Sequence, residues 1–333
     1  MKKNSINWIV GIILGATFLM VWLHLIDWQE FLQYFQKFDL TVMLFFSIFY
    51  VFAYFLRALR WKIILNPIYK MNIGESFAIF MSGLLVNYII PIRAGEVAKS
   101  VILKTRNHLK ISQTLPTVFI DKITDLFPIL LIMLLIPLVS IKLNFTLYFI
   151  ILLLFIILLF FVWFLYFAIN HQKKAFKFLH LFLKIIPFKY RAKLEVFFAN
   201  FVDGMGILNR RWKAITLIYL LTFWAVISEA LYIFMVFKAF GAEISYLKIL
   251  FGYTLMNLTY ILPTPPAQIG SNQFMWVLIF GFALGINENL TAAAVTFSHL
   301  LTSIWIFGIG AISLLALKIK FTEIVSIKNK NII

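Results

Sequence analysis

Nine apolar segments decide what this chain can fold into. They cover residues 6–26, 40–59, 73–92, 118–140, 145–169, 214–238, 245–262, 271–286 and 290–317. Several exceed the roughly 18 apolar residues that mark a membrane-spanning helix. Only 13% of residues are charged, against about 25% in soluble domains. The expectation is an all-α, polytopic membrane bundle, with about 8 transmembrane helices and at least one re-entrant hairpin. No soluble domain of useful size fits between the segments, so 1–333 reads as a single transmembrane domain. The long connection at 170–213 joins two halves, 40–169 and 214–317.

Charge sets an expected orientation. Lys and Arg gather in 57–72 (four), 93–110 (five) and 170–213 (ten), and are scarce in 27–39 and 141–144 (one each). The positive-inside rule places the basic loops in the cytoplasm, with the N-terminus. That favours a 73–92 segment that enters the membrane and returns, because the loops on both its sides are basic; the alternative is an ordinary span with the charge rule weakly obeyed. The second half is less clear. If 245–262 also returns, the C-terminal lysines fall outside; if it spans, there are eight crossings and the tail is inside. Charge favours eight.

The segment at 73–92 ends unusually, on Asn87-Tyr-Ile-Ile-Pro-Ile-Arg-Ala-Gly-Glu96. Non-helical backbone and charge at membrane depth are tolerated where they are buried in protein or line a wet cavity. The second half echoes the pattern. Residues 252–263 run to Pro263 and then Thr264-Pro-Pro-Ala-Gln-Ile-Gly270. Paired breaks in two halves point to an inverted repeat with a site between them.

Several polar residues are candidates for that site. Arg57 and Arg60 lie one helical turn apart, and the guanidinium fork suits phosphate. The bland alternative is a basic stop beside the interfacial Trp61. Arg93 could bind an anionic headgroup while Glu96 orients it; alternatively the two pair and stabilise the hairpin tip. Asn87 can hydrogen-bond the broken backbone. Asp121 and Asp125 share a helix face. They could answer the arginines, carry a coupling proton, or simply complement a helix N-terminus. Glu229 and His299 are candidate relay groups within apolar segments. The second break contributes Asn257, Pro263, Gly270 and Gln273. In 170–213, apolar residues at helical spacing alternate with lysines, as in a helix lying in the inner headgroup plane; the alternative is a basic loop that only sets topology.

Other classes are disfavoured. The net charge of +17 follows from topology and anionic lipid, not nucleic acid. There is no cysteine, no metal-ligand spacing, no phosphate-binding loop and no nucleophile elbow. No catalytic residue, metal or cofactor is expected. The apolar start is too long for a signal peptide and reads as a retained helix.

The motifs together resemble one family. Leu56-Arg-Ala-Leu-Arg-Trp-Lys62, Pro91-x-Arg-Ala-Gly-Glu96, Asp121-Lys-x-x-Asp125 and Pro263-Thr-Pro-Pro-Ala-Gln-Ile-Gly270 look like the flippase-like family. This is the transmembrane region of lysylphosphatidylglycerol synthases and its stand-alone relatives. The resemblance covers roughly residues 40–317. It departs at Asp121 and Gln273, where the family has Glu, and at Pro265-Pro266-Ala267, where it has a glycine-rich turn. It implies a cell-membrane protein that binds or moves lipids, with anionic membrane lipids and a lipid- or glycan-modifying transferase as partners. The alternative is a non-catalytic subunit supporting such a transferase. The chain stops soon after its last apolar segment, so synthase activity is not expected.

Overall fold

The computed structural model describes residues 2–36, 38–90, 95–139, 145–171, 211–259 and 265–326, with 191 and 195–196. Arg93, Pro91, Pro263 and most of the expected amphipathic segment at 170–213 lie outside them. All regular structure among the described residues is helical.

The first half opens with α1 (Lys2–Leu25), which bends by 85° into the short α2 (Trp28–Gln36). The Asp27 carboxylate makes the corner by accepting from the backbone of Gln29 and Glu30. Then come α3 (Leu40–Phe46) and α4 (Ile48–Leu65), which together are long and apolar enough for one span. A broken pair follows, α5 (Ile73–Ile89) and α6 (Gly95–Asn107), and then the long helices α7 (Ile111–Val139) and α8 (Phe145–Asn170).

The second half repeats that order. The long α9 (Trp212–Ala239) precedes the short α10 (Tyr246–Thr259). After a break with a 3₁₀ turn at Pro266–Gln268, α11 (Ser271–Trp276) runs on as a π-helical stretch, Val277–Ala283. The long α12 (Glu288–Leu317) and the short α13 (Phe321–Ser326) end the described chain. Three helical stretches, Leu40–Leu65, α9 and α12, are long and apolar enough over fully described lengths to cross a bilayer, with the bent α1–α2 pair as a fourth.

Both broken pairs turn back. Asn107 donates to the Tyr69 hydroxyl (2.6 Å), so the end of α6 sits beside the start of α5. Arg106 there donates to the Leu317 carbonyl (2.7 Å), at the end of α12. The other pair lies at the opposite end of α12: Gly252 of α10 packs against Phe280 and Leu284, shortly before α12 begins. Asp27 and Glu30 bond to Asn287 and Asn289 at its start. The Asp39 amide donates to the Ala239 carbonyl (2.9 Å), just before α10. The two pairs therefore enter the bundle from opposite ends. The eight-crossing expectation counts 245–262 and 271–286 as full spans. α10 has 14 residues, about 21 Å of helix at 1.5 Å per residue, short of the ~30 Å hydrocarbon core.

Packing at the centre is close because small residues line it. α4 lies along α9 with Ala53, Ala58, Ala225 and Ala230 fully buried, and small residues let membrane helices approach. Within the first pair, a Cβ on Gly95 would collide with the Gly83 carbonyl. α1 packs across the second break, where Gly270 (φ +79°) lies against the Gly15 carbonyl.

Candidate functional site

A cavity of about 520 Å³ opens where the two breaks meet. Asn87, Tyr88, Gly95 and Glu96 line it from the first, and Gln268 and Asn272 from the second. The Asn87 side chain bridges the first break by accepting from the Gly95 amide (2.7 Å), satisfying a donor in the first turn of α6. In the second, Ala267 and Gln268 adopt left-handed backbone (φ +52° and +56°), a strained conformation for non-glycine residues.

One histidine joins the breaks. His299 Nε2 lies 2.5 Å from the Tyr88 hydroxyl and 2.9 Å from the Ala267 carbonyl. Its Nδ1 is 3.0 Å from the Gln273 amide nitrogen, and Gln273 Oε1 accepts from the Gly270 amide. Gln273 thus acts on the second break and on His299, and is not a cavity-lining group. Asn257 does line the cavity and also donates to the Tyr253 carbonyl (2.9 Å).

The charged wall is a paired network. Arg57 donates to Glu229 (2.6 Å) and to the Tyr253 hydroxyl (2.9 Å), which itself donates to Glu229 (2.6 Å). Its guanidinium also lies over the Tyr54 ring. Arg60 is fully buried and bonds Asp121 (2.7 Å), Asp125 (2.6 Å) and Thr222 (2.9 Å). Lys99 reaches Glu96 (2.9 Å) and Asp121 (3.3 Å), and Lys122 reaches Glu96 (2.8 Å). Four cations therefore meet four carboxylates, Glu96, Asp121, Asp125 and Glu229. A buried charge without such a partner is costly.

These positions refine the expectations. Arg57, Asn87, Glu96, Asp125, Glu229 and Asn257 all line one cavity. Arg60 does not; it is fully buried, held behind the wall by Asp121, Asp125 and Thr222. The helix-start explanation of Asp121 and Asp125 also falls away, since α7 begins at Ile111 and both sit well inside it. Lys99 and Tyr253 were not singled out from the sequence. Lys99 stands one turn after Glu96 on the helix that follows the break, which was the available signal.

The fold and this site define a helical membrane protein built around a charged cavity between two broken helix pairs. The chain belongs to the family described as lysylphosphatidylglycerol synthase TM region, which matches residues 8–310, so it is a membrane protein of a lipid-handling family. It is similar to a UPF0104 membrane protein of Methanothermobacter thermautotrophicus, 21% identical over 77% of each chain. Another UPF0104 membrane protein, from Pyrococcus horikoshii, is 24% identical over 89% of this chain and 92% of its own. No solved structure matches.

Proposed function

We propose that the cavity receives the headgroup of an amphipathic, phosphate-bearing lipid or lipid-linked intermediate, and that the chain carries this headgroup between leaflets. The observation that supports this most is the meeting of two half-length helix pairs, from opposite ends, at one polar cavity. Discontinuous helices around a central site are the arrangement by which transporters expose a site to each side in turn. In this reading the chain crosses the membrane with α1, α3–α4, α7, α8, α9 and α12, and the two broken pairs are half-membrane hairpins. Its N-terminus, the 170–213 segment and the lysine-bearing tail then share the cytoplasmic face, as their charge favours. Lys122, half-exposed at the cavity edge, and Arg93 are the cations assigned to the lipid phosphate.

The test is reconstitution into liposomes with fluorescent lipids of several classes. Acceleration of leaflet exchange, lost in Arg57→Ala, supports transport. No acceleration for any class removes it. A second reading, a subunit that presents lipid to a separate transferase, is favoured by the family's description as part of a synthase. It predicts headgroup binding without exchange, and co-purification of a transferase.

A further inference from the structure

The hydrogen bonds of His299 run in one direction only. The Gly270 amide can only donate, and it donates to Gln273 Oε1 (2.9 Å). The Gln273 amide nitrogen therefore faces His299 Nδ1 (3.0 Å), which accepts from it. Across the ring, the Ala267 carbonyl can only accept, so Nε2 carries the proton and donates to it (2.9 Å). Ser303 gives its hydroxyl proton to the His299 carbonyl, and Tyr88 gives its own to Ser303. That leaves the Tyr88 oxygen as an acceptor beside Nε2. In this closed set of bonds the imidazole is neutral and Nδ1 is its acceptor.

A proton on Nδ1 breaks the set. Nδ1–H would face the amide protons of Gln273. Turning the Gln273 amide over moves the conflict without removing it: Oε1 then accepts from Nδ1, and the amide nitrogen faces the Gly270 amide. In either case one donor at the second break loses its acceptor, while the Nε2 bonds to Ala267 and Tyr88 are untouched. Gly270 is also where the break packs on the Gly15 carbonyl of α1. Histidine is the side chain that ordinarily titrates between about pH 5 and 8.

Resting on the transport reading above for its role in coupling, we infer that His299 Nδ1 is a proton site that releases the second hairpin. The state with Gln273 drawn off Nδ1 binds the proton, and by reciprocity the proton favours that state. Falling pH therefore loosens the second break from α12. In the proposed topology this break enters from the face opposite the cytoplasm, so the proton comes from that side.

Other titratable groups surround the site. Tyr88 of α5 touches His299, and Glu229 and Tyr232 of α9 line the cavity with it. α11 and its π-helical continuation carry none. Glu30 and Tyr34 of α2 belong to the far end of α12, near Asn289. Glu96 and Asp125 face the same cavity with the cations Arg57, Lys99 and Lys122. Arg93 lies outside the described residues; it bears on the pH at which the proton binds, not on the clash of donors at Nδ1.

The chain has no cysteine, so one thiol can report the second break. Ser271 is buried at the start of α11, and Ser271→Cys places the thiol there; Met275→Cys serves if that chain does not fold. Maleimide labelling of the purified full chain is timed at pH 8 and pH 5, each rate divided by that of the same chain unfolded at the same pH. Labelling should be at least fivefold faster at pH 5. Adding Gln273→Glu should abolish the rise, because a carboxylate accepts from Nδ1–H and from the Gly270 amide together, and it leaves Glu96, Asp125 and Glu229 in place. A rate independent of pH overturns the inference, and so does a rise that survives Gln273→Glu. Both results leave the headgroup site and its transport standing. A rise lost in Gln273→Glu, in a chain that exchanges no lipid between leaflets, keeps the proton site and removes its coupling role together with the transport reading.

Discussion

Tyr88 and His299 stand 211 residues apart in sequence and 2.5 Å apart in space, hydroxyl to Nε2. Tyr88 is the second-last residue of α5, before the first break, and His299 also holds Ala267 in the second. This junction fixes the distance between the two hairpin tips, and so the shape of the cavity. Tyr88→Phe removes the hydroxyl's bonds to His299 and Ser303 and should cost about 1–3 kcal/mol, read as a lower unfolding temperature in detergent. His299→Ala should cost more, since it releases Tyr88, Ala267 and Gln273 together.

Arg60 should behave as a structural group. Arg60→Ala leaves Asp121 without its arginine in a fully buried position, and loss of one partner of a buried pair costs about 3–5 kcal/mol. The double change Arg60→Met with Asp121→Leu should be less damaging than the sum of its single changes. Folded yield and thermal unfolding of the four chains measure this coupling.

Lys122 should separate function from stability. Its side chain is 44% exposed, and exposed ion pairs contribute about 0–1 kcal/mol. Lys122→Ala should leave the unfolding temperature nearly unchanged and slow leaflet exchange of phosphate-bearing lipids. Equal exchange rates would remove Lys122 from the proposed phosphate path.

Gly95→Ala should open the first hairpin. The added methyl meets the Gly83 carbonyl and the Asn87 backbone and side chain, and overpacking of this kind costs about 1–3 kcal/mol or more. Gly308→Ala is the control, because a methyl there meets nothing. Proteolysis of the residues around the first break, compared between the two variants, reads the difference directly.

The sequence made the membrane bundle legible because long apolar runs admit few alternatives, and it marked both breaks because Pro and Gly interrupt those runs. It did not separate a span from half of a hairpin. Residues 245–262 have the same composition in either case, and it is the packing of Gly252 against Phe280 and Leu284 that brings α10 alongside the stretch after the break. Partner choice was equally hidden. Arg57 and Arg60 look alike in sequence, one turn apart. The helices they face differ, so Arg57 meets Glu229 of α9 and Arg60 meets Asp121 of α7. Lys99 resembled any basic residue of a cytoplasmic loop until α6 was seen to fold back and bury it over the Phe80 ring, 4.4 Å from the centroid.

The contact of Gly15 with Pro265 and Gly270 has a consequence for biosynthesis. α1 leaves the ribosome well before the surface it docks on is made. Until α11 is made, α1 has no second break to cover, and the cavity lacks the wall that Gln268 and Asn272 provide. The nascent chain must therefore hold its paired arginines and carboxylates in an unfinished bundle, open along one side. An insertion chaperone or bound lipid covering that side during translation would raise the yield of folded protein without touching the finished structure.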